Sequence, residues 1–147
     1  IRIGMNGRLD TIQAAVLIEK LRVFEAEIAA RQKIADRYNA ALADIAIVPR
    51  VPEGLSSVWA QYTLRAPGRD RARIMAALKE AGIPTAIYYP KPLNRQRAYA
   101  QYPVAGNGVP VSEQLAAEVF SLPMHAYLDE ATQDRIIAAA RRALAAG

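Results

Sequence analysis

The distribution of apolar residues along this chain changes period several times, and each change marks an element. Thr11 to Lys20 carries apolar side chains nearly all round, with Ile12, Val16, Leu17 and Ile18 among them, which predicts a buried helix. A second helical pattern follows at once. Phe24, Ile28, Ile34, Tyr38 and Leu42 share one stripe while Glu25, Glu27, Arg31, Lys33 and Arg37 lie off it, predicting a long amphipathic helix to about Ala43. Glu27 and Arg31 stand at the i,i+4 spacing of a surface ion pair. Pro49, Pro52 and Gly54 then mark a loop, after which Val58, Ala60, Tyr62 and Leu64 alternate with Trp59, Gln61, Thr63 and Arg65 as in a strand.

Pro67 and Gly68 turn the chain, Asp70 is placed to cap, and Ile74, Leu78 and Ala81 line a short helix. Gly82 closes it, with Ile83 positioned to touch Leu78 as in a Schellman ending. Thr85 to Tyr89 reads as a second strand, stopped by Pro90 and Pro92. The stretch from Pro90 to Pro110 has no period, holds Tyr99 and Tyr102, and is long enough to be a functional loop. Val111 to Val119 is helical, Phe120 to Pro123 extended, and Asp129 caps a last helix with Ile136, Ile137, Ala140 and Leu144 on its stripe. The expected fold is one α+β domain: a leading loop and long helices over 1–45, then over 46–147 a small, mainly antiparallel sheet covered by helices.

Composition removes several kinds of function. No apolar run reaches the roughly 20 residues that span a bilayer, and no signal-like start is present, so neither a membrane nor export is expected. The absence of cysteine excludes disulfides, thiolate metal sites and cysteine nucleophiles, and fits a cytoplasmic protein. The formal charge of +5 comes mainly from arginine, with only Lys20, Lys33, Lys79 and Lys91 as lysines. These charges are scattered and lack interleaved aromatics, so nucleic acid is not an expected partner. His125 is the only histidine, which argues against a metal centre. In Leu122-Pro123-Met124-His125 it has no obvious catalytic partner and is read as structural. None of the four lysines has the apolar setting expected of a Schiff-base amine.

Two binding-type clusters remain. In Gly4-Met5-Asn6-Gly7-Arg8-Leu9-Asp10, glycines give the backbone freedom, and Asn6 and Arg8 project from one side of an extended segment. Asp10 with Gln13 forms a capping-box variant that starts the first helix. The guanidinium of Arg8 suits a carboxylate or phosphate. The second cluster is Ile87-Tyr88-Tyr89-Pro90-Lys91-Pro92-Leu93, where adjacent tyrosines at a strand end face opposite ways, one inward and one toward a ligand.

G-x-N-x-R-x-D-x-x-Q-A-A, Ser57-Val58-Trp59-Ala60-Gln61-Tyr62-Thr63, Gly82-Ile83-Pro84-Thr85, Tyr89-Pro90-x-Pro92-Leu93 and Leu122-Pro123-Met124 follow one another as in the DegT/DnrJ/EryC1/StrS family, which this chain resembles over essentially its whole length. Members are pyridoxal-phosphate-dependent nucleotide-sugar aminotransferases of fold type I. The wording around Gly4 and Ser57 is most similar to the branch that aminates UDP-2-acetamido-2-deoxy-ribo-hexuluronate for bacterial surface polysaccharide. The resemblance implies the C-terminal small domain of such an enzyme, with the Schiff-base lysine in a large domain not contained in this chain. It implies a homodimer with shared active sites, in which Asn6 donates to the pyridoxal 5'-phosphate of the neighbouring subunit. Arg8 would meet an acidic group of the sugar substrate or of a glutamate donor, and Tyr89 and Tyr88 would contact the sugar nucleotide. Tyr88 stands where the family usually has histidine, and phenol cannot replace imidazole chemically. Alone, the chain is expected to bind no pyridoxal phosphate and to turn nothing over. The alternative reading is a non-catalytic interaction or dimerisation module built on the long helix.

Overall fold

The computed structural model describes residues 9–147, and the elements run α1 (Thr11–Leu21), α2 (Phe24–Leu42), β1 (Tyr62–Arg65), α3 (Arg71–Glu80), α4 (Pro110–Glu118), β2 (Val119–Leu122) and α5 (Glu130–Ala146). Each of the three aspartates that precede a helix caps it. Asp10 accepts from the Gln13 amide at 2.8 Å, Asp70 from that of Arg73 at 3.1 Å, and Asp129 from that of Thr132 at 2.8 Å. These bonds satisfy amides that a helix start otherwise leaves open. At the end of α3, Gly82 adopts φ +73°. Its amide bonds the Lys79 carbonyl and that of Ile83 bonds Leu78, the two bonds of a Schellman motif.

The sheet is antiparallel, with Tyr62 opposite Leu122 and Leu64 opposite Phe120. Single bridges extend it on both sides: Ile47 pairs with Arg65, and Ala86 with Ser121. The predicted strand over Thr85 to Tyr89 is thus reduced to one paired residue. Pro84 and Pro90 bracket this segment and supply no amide hydrogen for a longer ladder. The earlier strand also begins later than its alternation suggests, because Trp59 takes φ +47° and breaks the pleat. Trp59 therefore turns inward and is buried, while Val58, expected on the core side, is half exposed.

One face of the sheet, carrying Tyr62, Leu64, Phe120 and Leu122, packs into the core with α2, α3 and α5. Tyr38 and Tyr62 pack with ring centroids 4.7 Å apart. Each keeps its hydroxyl satisfied: Tyr38 donates to the Pro123 carbonyl at 3.0 Å and Tyr62 to Asn39 at 2.7 Å. Burial raises both phenol pKa values far above the usual tyrosine range. Ala139, Ala140 and Ala143 are buried on α5, which packs against both α3 and α2, and such short side chains permit a close approach. Buried Gln133 donates from Nε2 to the Ile34 carbonyl at 2.8 Å, tying α5 to α2.

Three further expectations are corrected. α1 forms as predicted but none of its residues is buried; Ile12 is 79% and Ile18 59% exposed. An all-round apolar helix needs cover on several sides, and the described residues give it only a limited contact with α2. Arg31 does not pair with Glu27 but donates to the Trp59 carbonyl at 3.0 Å, while Glu27 is engaged by Lys20 and Tyr127. Ala81 is the exposed cap residue of α3 rather than part of its buried stripe.

Candidate functional site

On the sheet face turned away from the core, Thr63 is partly exposed, Ser121 is buried and Val119 is apolar. Thr63 and Ser121 sit opposite each other on β1 and β2, their hydroxyls 2.8 Å apart. Gln61, Thr63, Ser121 and Tyr88 line a cleft of about 60 Å³ that also reaches Tyr89. On one side it adjoins a cavity of about 200 Å³ walled by Gln61, Thr85, Tyr88, Ser121 and Met124, among others. On the other, Tyr89 and Lys91 line a cavity of about 910 Å³ between the 89–105 segment and α4. The two tyrosines stand at the junction of this row of hollows.

Local sequence explains that placement. Ala86 anchors the segment to β2 through two backbone bonds, Ala86 N–H to Ser121 O at 3.2 Å and the reverse at 2.8 Å. The chain then bends at Tyr88, Pro90 and Lys91, and after Pro92 a short 3₁₀ turn runs over Leu93–Arg95. The expectation that one tyrosine packs inward is overturned: Tyr88 is 53% and Tyr89 78% exposed. With pairing limited to Ala86, no strand pleat reaches Tyr88 to bury it. Both phenols are consequently available to a ligand.

An ion pair stands at the edge of the sheet. Arg65 reaches Glu118 from both Nε and Nη2, at 3.1 and 2.9 Å, and Gln114 donates to the other carboxylate oxygen at 2.8 Å. Hydrogen bonds from Gln114 and Arg65 lower the Glu118 pKa below the usual carboxylate range. His125, expected to be a satisfied structural residue, is exposed, and its side chain makes no hydrogen bond among the described residues; its carbonyl accepts from Leu128 at 3.2 Å.

Asn6 and Arg8 lie outside the described residues. Sequence reasoning had singled out Tyr88, Tyr89 and the 90–110 segment, which the structure brings together. It missed the polar platform of Gln61, Thr63 and Ser121. Its legible signal was a hydroxyl at the outward phase of each of two facing strands.

Pyridoxal phosphate requires a lysine for its Schiff base, and the described residues do not fit one. Lys20, Lys33, Lys79 and Lys91 are all exposed to solvent, with Lys20 paired to Glu27 at 3.5 Å. Among the described residues there is also no cluster of metal-ligating side chains, and no helix is long and apolar enough to cross a membrane. What the site offers is polar and aromatic walls for a bound molecule.

Comparison with known proteins accounts for this partial character. The chain is 48% identical over 140 residues to UDP-2-acetamido-2-deoxy-3-oxo-D-glucuronate aminotransferase of Pseudomonas aeruginosa, covering 95% of this chain and 38% of that protein. It superposes on a DegT DnrJ EryC1 StrS aminotransferase from Brucella abortus with a TM-score of 0.87 and 54% identity, covering 97% of this chain and 38% of the other. NtdA of Bacillus subtilis, solved with its cofactor PMP, matches with a TM-score of 0.80 and 26% identity over 99% of this chain and 34% of its own. The chain thus spans somewhat over a third of the length of these relatives. The model of the DegT/DnrJ/EryC1/StrS aminotransferase family matches residues 1–141, and the chain belongs to that family.

Proposed function

We propose that this chain is the C-terminal part of a pyridoxal-phosphate-dependent aminotransferase that moves an amino group from glutamate to a keto nucleotide sugar, in the cytoplasm, for bacterial surface polysaccharide. The family match over residues 1–141 carries this reading, and the similarity to the Pseudomonas aeruginosa enzyme favours a keto-uronate sugar. In this reading residues 1–45 form the leading loop and helices, 46–147 the small α+β domain, and the Schiff-base lysine belongs to a large domain. Pyridoxal phosphate supplies the electron sink when bound.

This chain's own residues bind and orient. Tyr88 and Tyr89 present phenols that can hydrogen-bond sugar hydroxyls in the cleft that both line. The resemblance gives Asn6 a bond to the cofactor phosphate across a homodimer interface, and gives Arg8 the substrate carboxylate. A guanidinium can grip a carboxylate with two parallel bonds.

The full-length protein tests the reading in two steps. Glutamate alone is expected to change the visible absorbance of the cofactor-loaded full-length protein; a spectrum that ignores glutamate refutes the assignment. Arg8→Ala is expected to raise KM for the acidic substrate about tenfold or more, the loss of a charge-assisted contact, with an unchanged melting temperature. Lowered stability with unaltered kinetics would assign Arg8 to the fold instead.

A further inference from the structure

Trp59 lies one residue before the wall of the candidate site, and its backbone decides which side of the sheet its indole occupies. Alternation carried back from Tyr62 and Leu64, which face the core, assigns Gln61 and Trp59 to the opposite face, with Thr63 and Ser121. Gln61 keeps that phase and lines both the cleft of about 60 Å³ and the cavity of about 200 Å³. Trp59 does not. Its φ of +47° turns the side chain to the core side, where the indole is 5% exposed and lies 6.0 Å from the Tyr62 ring. In the extended phase the indole would stand about 7 Å from Gln61, two residues along a strand, over the cavity that Ala60, Gln61 and Tyr88 help to wall.

A bulky residue in the left-handed region is rare and persists only where its surroundings over-determine it. The restraint here comes from two adjacent residues of α2. Arg31 Nη1 donates to the Trp59 carbonyl at 3.0 Å, and Gln32 Oε1 accepts from the indole nitrogen at 2.7 Å. Gln32 is itself oriented, its Nε2 donating to Asp36 at 2.8 Å, so its oxygen is the end left for the indole. The Trp59 amide donates to Ser57 Oγ at 3.1 Å. The β1–β2 ladder begins only at Tyr62, so side chains, not sheet pairing, hold this peptide.

We propose that Arg31 and Gln32 are positioning residues that clamp Trp59 in its strained conformation and thereby keep the indole out of the cavity beside Tyr88. The released peptide has an unstrained alternative, the extended strand that its neighbours already follow. That alternative carries the indole onto the face of Gln61 and Thr63. The segment is thus a two-state element whose balance α2 sets, and only the kinked state leaves the cavity free for a ligand. That the ligand is a keto sugar rests on the aminotransferase reading, whereas the clamp does not.

The test uses the full-length protein labelled with 5-fluorotryptophan, the Trp59 fluorine resonance being assigned by its loss in Trp59→Leu. Arg31→Ala is expected to move that resonance and give it the solvent isotope shift of an exposed indole; an indole as protected as in the parent overturns the clamp. In the same variant KM for the keto nucleotide sugar is expected to rise about tenfold, the consequence of an open state reduced to about a tenth of the population, with kcat and the response to glutamate unchanged. Combining Arg31→Ala with Trp59→Leu is expected to return KM toward the parent value, because no indole remains to enter the cavity. A KM that stays raised in the double variant overturns the proposal and marks Arg31 as a support of the fold. Should Arg31→Ala fail to fold, Gln32→Leu removes the indole's acceptor and is expected to give the same two changes, and their absence overturns the clamp equally. A fluorine spectrum that moves as expected in a protein indifferent to glutamate defeats the aminotransferase reading alone. A normal glutamate response with an unmoved spectrum defeats the clamp alone.

Discussion

Trp59 shows how a single residue can defeat a periodic pattern. A bulky side chain at φ +47° is strained by about 1 to 3 kcal/mol, and the surroundings over-determine it. Its indole donates to Gln32 Oε1 at 2.7 Å, its amide to Ser57 Oγ at 3.1 Å, and its carbonyl accepts from Arg31. The kink it makes is followed by Ala60 and Gln61, both of which line the cavity of about 200 Å³. Glu118 acts differently, through charge. Its pKa is depressed in the folded protein, so the stabilisation it contributes is present above the unfolded carboxylate pKa and is lost as pH falls through the folded value. Glu118→Gln should therefore be less stable than the parent at neutral pH, with the gap closing in acid. Denaturant melts across that pH range measure it; a gap independent of pH would show that the charge contributes nothing.

At the scale of elements, the sequence is most informative where a cap or a period is self-contained. The helix starts at Asp10, Asp70 and Asp129 and the ending at Gly82 could be read because each involves neighbours within about five residues. Gly82→Ala provides a clean check. No atom lies within 4 Å of an added Cβ there, so only the left-handed backbone opposes it, and a loss of about 1 to 2 kcal/mol is expected in chemical melts. No loss would mean that α3 can end without the motif. The strand over Thr85 to Tyr89 was misread because its pairing depends on a distant partner, and only Ala86 meets Ser121. The polar platform was missed for a related reason: Thr63 and Ser121 become a unit only through the register of β1 on β2. Tyr88 and Tyr89 were legible as a cluster, but their shared exposure depended on the same absent pleat.

For the molecule as a whole, the contrast between α1 and the rest decides behaviour. α2, α3, α5 and the sheet bury a common core, whereas Ile12, Val16, Leu17, Ile18 and Leu21 of α1 all face solvent. Exposed apolar surface is a common sign of an interaction site, and the proposed homodimer would use it. In the isolated chain, Ile12→Glu combined with Ile18→Glu should reduce self-association without lowering the melting temperature, as sedimentation and thermal scans would show. A drop in melting temperature would place α1 inside the cooperative core instead. The single tryptophan adds an experimental handle. Trp59 is enclosed by α2 and lies 6.0 Å from the Tyr62 ring, immediately before two residues that wall a cavity. Its emission can follow closure of the core during refolding, and quenching by a molecule entering beside Gln61 can be watched in the unlabelled protein.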